Sequence, residues 1–330
     1  MELTLIKEDI ENKFEQELKK QLKSLKFKDS VAVKLHMGEG FYHFDLNLTK
    51  IAVKVLKELK AKPFLIDTIT SYNGLRATPE KYFETAKSHG FSEESIGCPI
   101  IIPEEFVNIK TEHLNVEVSK PIHDASALLV LTHFKGHECC GAGGSIKNLG
   151  MGAVTKKTKE NIHEGARPVL TGMYSCKGCK ICFEHCPNNA INMYENKPSF
   201  NYESCEGCDI CIDSCPNKCL SPKIAKFNNL LAEGASAVIK NKKKIFYVND
   251  IRNITRHCDC YKNPGKIIAP DIGVLMGKDI VAIDKASADL VNDRAGLNIF
   301  LKENKTNPYG HIYIAEELGM GNSDYKITPI

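Results

Sequence analysis

Apolar positions recur at helical spacing over residues 8–26, where Ile10, Phe14, Leu18, Leu22 and Leu25 share one face. The pattern then shortens to a β-like run, Ser30-Val-Ala-Val-Lys-Leu35. It returns to helix over Leu46 to Leu59 and to strand over Pro63 to Ile66. Thr78-Pro79-Glu80 predicts a helix start, with threonine as N-cap and proline in the first turn, and that helix is expected to stop at Gly90. Pro99 to Ile102 and Ala127 to Leu131 are short continuous apolar runs, as in strands covered on both faces. Later in the chain, Lys223 to Ile239 reads as helix, Lys244 to Val248 as strand, and Ile280 to Leu290 as helix. Strands alternating with helices predict an α/β fold with a mostly parallel sheet and flanking helices.

Residues 169–222 interrupt this grammar. They are rich in Cys, Asn and Pro and have little periodicity. Cys176, Cys179, Cys182 and Cys186 precede Pro187; Cys205, Cys208, Cys211 and Cys215 precede Pro216. This is C-x2-C-x2-C-x3-C-P written twice, 29 residues apart (Cys176 to Cys205), the ligand arrangement of a two-cluster bacterial ferredoxin. Three closely spaced thiolates hold three corners of one iron–sulfur cube, and the fourth cysteine serves the other cube. The expected sets are Cys176, Cys179, Cys182 and Cys215 for one 4Fe–4S cluster, and Cys205, Cys208, Cys211 and Cys186 for the other. Zinc is the competing metal, but its sites favour two pairs of ligands over three cysteines in a row plus a distant fourth. The expected organisation is a first α/β part over 1–168, a ferredoxin-like insert over 169–222, and a second α/β part over 223–330.

Composition adds bounds. At 330 residues the chain can bury a full core, and its net charge of +3 is too weak to suggest a nucleic-acid partner. The longest apolar stretch, near Ala125 to Leu131, is far short of a membrane span. The opening residues carry neither a secretory pattern nor twin arginines, so a cytoplasmic location is expected and a disulfide framework is not. Exposed clusters of this kind suit a reducing, anaerobic cell.

Two further constellations carry candidate chemistry. Directly after the Ala127–Leu131 run come His133, Lys135 and His137, then a glycine-rich stretch with Gly143, Gly144, Ser145, Lys147 and Asn148. Ligands of open parallel sheets gather at the carboxyl ends of strands, and glycines let backbone N–H groups approach an anion. We therefore expect His133, Lys135, His137 and Lys147 as catalytic groups, the histidines as acid–base candidates, and Gly143, Gly144, Ser145 and Asn148 as cofactor contacts. The spacing matches neither a Walker loop nor a dinucleotide fingerprint. Arg256-His-Cys-Asp-Cys260 is the second constellation. Cys258 and Cys260 can contact a cofactor, complete a metal site with His133 or His137, or form a redox pair. Asp271, Asp284 and Lys285 lie downstream, with Asp284 expected to cap the helix that follows it. Cys98 and Cys219 read as packed residues, and adjacent Cys139 and Cys140 do not readily serve one metal.

Taken in order, His133-Phe-Lys-Gly-His137, Gly143-Gly-Ser-Ile-Lys-Asn-Leu-Gly-Met-Gly152, the cysteine block, His257-Cys-Asp-Cys260, Pro270-Asp-Ile-Gly273 and Val281-Ala-Ile-Asp284 resemble the domain of unknown function 362 family (DUF362), in its version with an internal two-cluster ferredoxin. That resemblance implies the iron–sulfur cofactor and little about a reaction. A more distant similarity is to lactate racemase, whose site uses histidines and a lysine around a nickel-pincer cofactor. His133, Lys135, His137 and Lys147 do not match it position by position, so no nickel chemistry is carried over.

The expected function is an iron–sulfur oxidoreductase: two 4Fe–4S clusters move electrons to a substrate or cofactor in the α/β domain. A redox partner protein or a small-molecule acceptor completes the circuit. The alternatives are a ferredoxin-like carrier docking to a partner enzyme, and a nonenzymatic protein for metal or cofactor maturation or redox sensing. An additional metal or organic cofactor would favour the first or the last.

Overall fold

The computed structural model describes residues 1–330. An eight-stranded sheet organises the chain in the spatial order Lys326–Pro329, Glu2–Ile6, Gly273–Gly277, Ile245–Ile251, Ala127–His133, Asp29–Lys34, Ala61–Ile66 and Ile100–Ile101. From Ile245–Ile251 to Ile100–Ile101 every neighbouring pair is parallel. Gly273–Gly277 alone runs against both of its neighbours. The mostly parallel α/β architecture expected from the periodicity is thus present. The strands Glu2–Ile6, Gly273–Gly277 and Lys326–Pro329, which extend the sheet at one edge, were not expected.

Alternate residues of one strand explain why its apolar run is continuous. All seven residues of Ala127–His133 are buried. Leu128 and Val130 enter the core on one face, with Ile146 and Leu149 of the helix Ser145–Gly152 and Leu231 and Ala235 of the helix Phe227–Ile239. Leu129 and Leu131 enter the core on the other face, with Phe14 and Leu18 of Ile10–Ser24 and Val53 and Leu56 of Leu46–Glu58. A strand covered on both sides can afford no polar alternation. Two of the helices expected from the sequence start on side-chain caps: Asp45 accepts from the Leu48 amide at 3.0 Å, and Thr78 accepts from the Lys81 amide at 3.3 Å, with Pro79 in the first turn. No helix is long and apolar enough to cross a membrane.

Residues 168–222 add no strand to this sheet. They form two copies of one unit whose pieces cross. Strand Pro168–Leu170 of the first copy pairs with Leu220–Pro222 of the second, and Ile191–Tyr194 of the first pairs with Lys197–Phe200 of the second. The short helices Ile181–Glu184 and Ile210–Asp213 occupy equivalent places. Gly178 and Gly207, also equivalent, both take φ +66°, a left-handed conformation that glycine adopts without steric cost. Ile191, Cys211 and Leu220 make a small core of their own.

The copies differ in surroundings. The second is fastened to the main body: the Phe227 amide donates to Asp209 at 2.6 Å, Arg167 Nε donates to the Cys205 carbonyl at 3.1 Å, and His163 Nδ1 bonds the Glu206 carbonyl at 2.7 Å. The first copy faces outward, with Met173, Tyr174, Phe183 and Tyr194 exposed around it.

Candidate functional site

The carboxyl ends of the parallel strands open into one cavity of about 1010 Å³. Lys34 ends one strand, Asp67 follows the next, His133 ends the third, and the loop after Ile245–Ile251 brings Cys258 and Cys260. Of the expected site residues, His133, Lys135, His137, Gly144, Lys147, Asn148, Cys258 and Cys260 all line this space, and Gly143 and Ser145 do not.

Asp259, between the two cysteines, anchors the loop. Its fully buried carboxylate accepts from His133 Nδ1 at 2.9 Å and from the Lys135 ammonium at 2.9 Å. The other His133 nitrogen donates to the Arg252 carbonyl at 2.8 Å. Burial alone would push the imidazole down, but the Asp259 carboxylate outweighs it and holds His133 above its ordinary value. With both nitrogens committed, His133 is a positioning group with no free nitrogen for acid–base work in this arrangement. Lys135 is similarly tied, donating also to the His133 carbonyl at 2.7 Å. His137 accepts the Cys139 amide at Nδ1 (3.2 Å) and stacks on Phe227. Burial, helped by Lys147, lowers its pKa to about 3, so the ring is neutral. The two histidines expected as acid–base candidates are therefore shifted in opposite directions, His133 up and His137 down.

Fixing Asp259 aims its neighbours. Lys147 Nζ lies 2.9 Å from Cys258 Sγ and 3.6 Å from Cys260 Sγ, and the Cys258 thiol donates to Cys260 at 3.2 Å. The hydrogen bond from Cys258 holds the Cys260 thiol well below its ordinary range, and Lys147 and Arg76 act in the same direction. Cys258 is held up by the same bond. One proton thus belongs to the pair, beside an ammonium with no carboxylate in contact. Tyr72 donates to the Cys260 carbonyl at 3.1 Å.

A second buried ion pair also lines the cavity. Lys34 Nζ lies 2.9 Å from Asp67 and donates to Asn148 at 2.6 Å. Tyr82 also bonds to Asp67, and Arg76 is held separately by Glu39 at 2.6 Å. Burial would raise the Asp67 carboxyl, but Lys34, His36 and Arg76 hold it far below the usual carboxylate range. Lys159 donates to Thr68 at 2.7 Å and to the Ile69 carbonyl, with no acid in contact, and burial lowers its pKa to about 7. None of Lys34, Asp67, Arg76, Asp259 and Lys159 was singled out from the sequence. A lysine inside an apolar strand and an acid one residue past a strand were the available signals.

The glycine-rich segment works differently from expectation. The first amides of Ser145–Gly152 do point at an anion, but it is the protein's own: Ser145 N and Ile146 N donate to Asp284 at 2.7 and 2.8 Å. Asp284 also accepts from Asn249 at 2.9 Å. It therefore does not cap the helix that carries it; Asp279 does, accepting from Val281 and Ala282. Ser145 Oγ donates to Asn249 at 2.8 Å, within the same buried network. Gly144 is needed because a Cβ there would lie 2.4 Å from the Asp284 carboxylate. Lys285 pairs with Asp289, and Asp271 receives the Asn253 amide, both away from the cavity.

Gly136 shows how tightly the two constellations fit. A Cβ there would lie 2.0 Å from the Arg256 carbonyl oxygen and 2.8 Å from Asn304. Backbone cannot yield as a flexible side chain does, so Gly136→Ala must displace the loop that carries Cys258 and Cys260. We expect a loss of about 1–3 kcal/mol in urea unfolding, the usual range for overpacking. Unchanged stability would mean that the loop moves without cost.

The remaining cysteines sort cleanly. Cys176, Cys179, Cys182 and Cys215 line one small cavity, together with Cys219; Cys186, Cys205, Cys208 and Cys211 line another. In each copy the residue four places after the last cysteine donates its amide to that sulfur: Ala190 to Cys186 at 3.2 Å and Cys219 to Cys215 at 3.3 Å. Cys205 and Glu206 border both the second small cavity and the large one. Cys98 and Cys140 are buried and line none of the three, whereas Cys139 is buried at the wall of the large one.

The profile of the family described as "Domain of unknown function (DUF362)" matches residues 31–289. The chain belongs to that family. Within this DUF362 protein the matched span runs from the strand Asp29–Lys34 into the helix Ile280–Ala295, so it includes both constellations and the cysteine block. No curated protein matches the sequence. Among solved structures, a Thermotoga maritima protein determined by structural genomics is similar at 12% identity and TM-score 0.42, covering 72% of this chain and 50% of its own. The lactate racemase apoprotein from Thermoanaerobacterium thermosaccharolyticum is similar at 11% identity and TM-score 0.39, covering 76% of this chain and 50% of its own. The DUF362 chain thus spans about half the length of each.

Proposed function

We propose that this protein is an iron–sulfur oxidoreductase that carries electrons through residues 169–222, as an inserted module, to a substrate in the large cavity. Cys176, Cys179, Cys182 and Cys215 would hold one 4Fe–4S cluster, and Cys186, Cys205, Cys208 and Cys211 the other. The fit rests on the donor set: four motif thiols line each small cavity, with Cys219 beside the first set, and amides donate to Cys186 and Cys215. Each cluster, when bound, supplies single electrons at low potential.

The observation that carries the reading is Cys205, which borders its own four-cysteine cavity and the large cavity at once. A carrier that only docked to a partner would have no use for that shared wall. The exposed side of the first set, with Tyr174, Phe183 and Tyr194, suits a redox partner or small donor on the other side. Within the cavity, half-buried Lys147 and buried Lys159 have no carboxylate in contact, which favours a substrate bearing an anionic group. His137 offers a neutral ring, and Asp259, through His133 and Lys135, keeps the cysteine loop in place.

The test is elemental analysis of anaerobically purified protein. About eight irons per chain are expected, with a reduced-cluster spectrum by electron paramagnetic resonance. Cys205→Ser should lose about half of that iron or more, while Cys98→Ser keeps it all. Zinc in place of iron would overturn the proposal.

A further inference from the structure

The pair Cys258 and Cys260 is built unlike the other cysteines. The two sulfurs are 3.2 Å apart, about 1 Å more than a disulfide bond. Their loop is held from both sides, by Asp259 on His133 and Lys135 and by Tyr72 on the Cys260 carbonyl. Lys147 sits against both sulfurs, the arrangement that turns a thiol into a nucleophilic thiolate. Cys258 is buried and Cys260 is half-buried, so the two differ in reach. Both face a cavity that Cys205 also borders.

We propose that Cys258 and Cys260 form a reversible dithiol–disulfide couple at the cavity wall, with Cys260 as the attacking thiolate, Cys258 as the resolving thiol and a small anionic disulfide as the oxidant. Cys260 Sγ attacks one sulfur of that disulfide; its S–S bond breaks and the first thiolate leaves. Cys258 then gives its proton to the thiolate released in the first step, attacks Cys260 Sγ and expels the second thiolate. The protein is left with a Cys258–Cys260 disulfide, and the oxidant has gained two electrons. Reduction reverses the protein's part: two electrons, delivered singly by low-potential iron–sulfur donors, and one proton restore Cys258 as thiol and Cys260 as thiolate. For the source of those electrons the proposal rests on the reading above. The carboxylates of the oxidant meet Lys147 and Lys159, the cavity lysines with no carboxylate in contact.

The experiment equilibrates anaerobic protein in glutathione buffers of graded oxidised-to-reduced ratio, alkylates free thiols and maps peptides by mass spectrometry. A disulfide linking Cys258 and Cys260 should form, and disappear with dithiothreitol. Cys258→Ser should instead trap glutathione on Cys260. Lys147→Gln should slow alkylation of Cys260 at neutral pH by roughly tenfold, one unit of thiol pKa. Iron content and the paramagnetic spectrum are recorded on the same samples. A disulfide without iron would leave the couple standing and remove the iron–sulfur reading; iron without the disulfide would do the reverse. The couple is overturned if both thiols remain alkylatable in every buffer, or if stoichiometric zinc is present and lost in both Cys258→Ser and Cys260→Ser.

Discussion

Replacing Asp259 with alanine is expected to cost about 3–5 kcal/mol of folding stability, the usual price of leaving a buried ion pair half-empty. The carboxylate is fully buried and answers His133 and Lys135, each 2.9 Å away. Without it, the buried Lys135 ammonium and the His133 ring are left with only carbonyl oxygens as partners. The pH dependence has a definite sign. His133 is raised in the fold, so its contribution is complete below its unfolded value of about 6.5 and is lost as pH rises through the higher folded value. Asp259 is held far below the carboxylate range by His133 and Lys135, against the effect of burial. Its contribution is present above about pH 3.9 and is lost as pH falls through the lower folded value. The gap between wild type and Asp259→Ala should therefore be widest at about pH 4–6.5 and narrow toward alkaline pH. Urea unfolding at mildly acidic and alkaline pH measures it. A gap below about 1 kcal/mol, equal at both, would show that the pair does not hold the loop.

Asp67→Ala should be comparably damaging, again by about 3–5 kcal/mol. Lys34 is fully buried at the carboxyl end of its strand, and Asp67 is its only carboxylate partner. Arg76, by contrast, keeps Glu39. This difference suggests a sharper test than the single variant. In the double variant Asp67→Ala/Lys34→Met the stranded Lys34 ammonium is gone, and apolar replacement of a buried pair is often close to neutral. Most of the loss should then return, measured as a double-mutant cycle by chemical denaturation. If the double variant is as unstable as Asp67→Ala alone, the damage comes from the lost Tyr82 and backbone bonds and not from the stranded lysine.

The periodicity of the chain located most of the interior. Leu46 to Leu59 and Thr78-Pro79 became helices within a residue or two, because one face buries apolar side chains and Asp45 and Thr78 supply caps. Continuous apolar runs identified the inner strands for the same reason that Ala127–His133 is buried throughout. Glu2–Ile6, Gly273–Gly277 and Lys326–Pro329 escaped notice: each is five residues or fewer, and their pairing joins the two ends of the chain. No local pattern encodes a partner hundreds of residues away.

At the site, chemistry-bearing residue types were visible but their partnerships were not. His133, Lys135 and Lys147 stand out in any reading, yet two of them serve Asp259, which stood unnoticed between two cysteines. The glycine-rich turn advertised an anion without revealing that Asp284 is that anion. Lys34 was legible only in hindsight, as a charged residue in a strand whose other inner positions are apolar.

The crossed pairing of residues 168–222 ties the fates of the two cysteine sets together. Each small cavity takes three sulfurs from one copy and the fourth from the other, and each strand finds its mate in the opposite copy. Under the proposed ligation neither half fills its site by itself, so cluster assembly is all-or-nothing across residues 168–222. Under the same ligation, oxidative injury to Cys186 or Cys215 would spread in the same way, since the damaged residue sits in one repeat and the set of sulfurs it deserts belongs to the other.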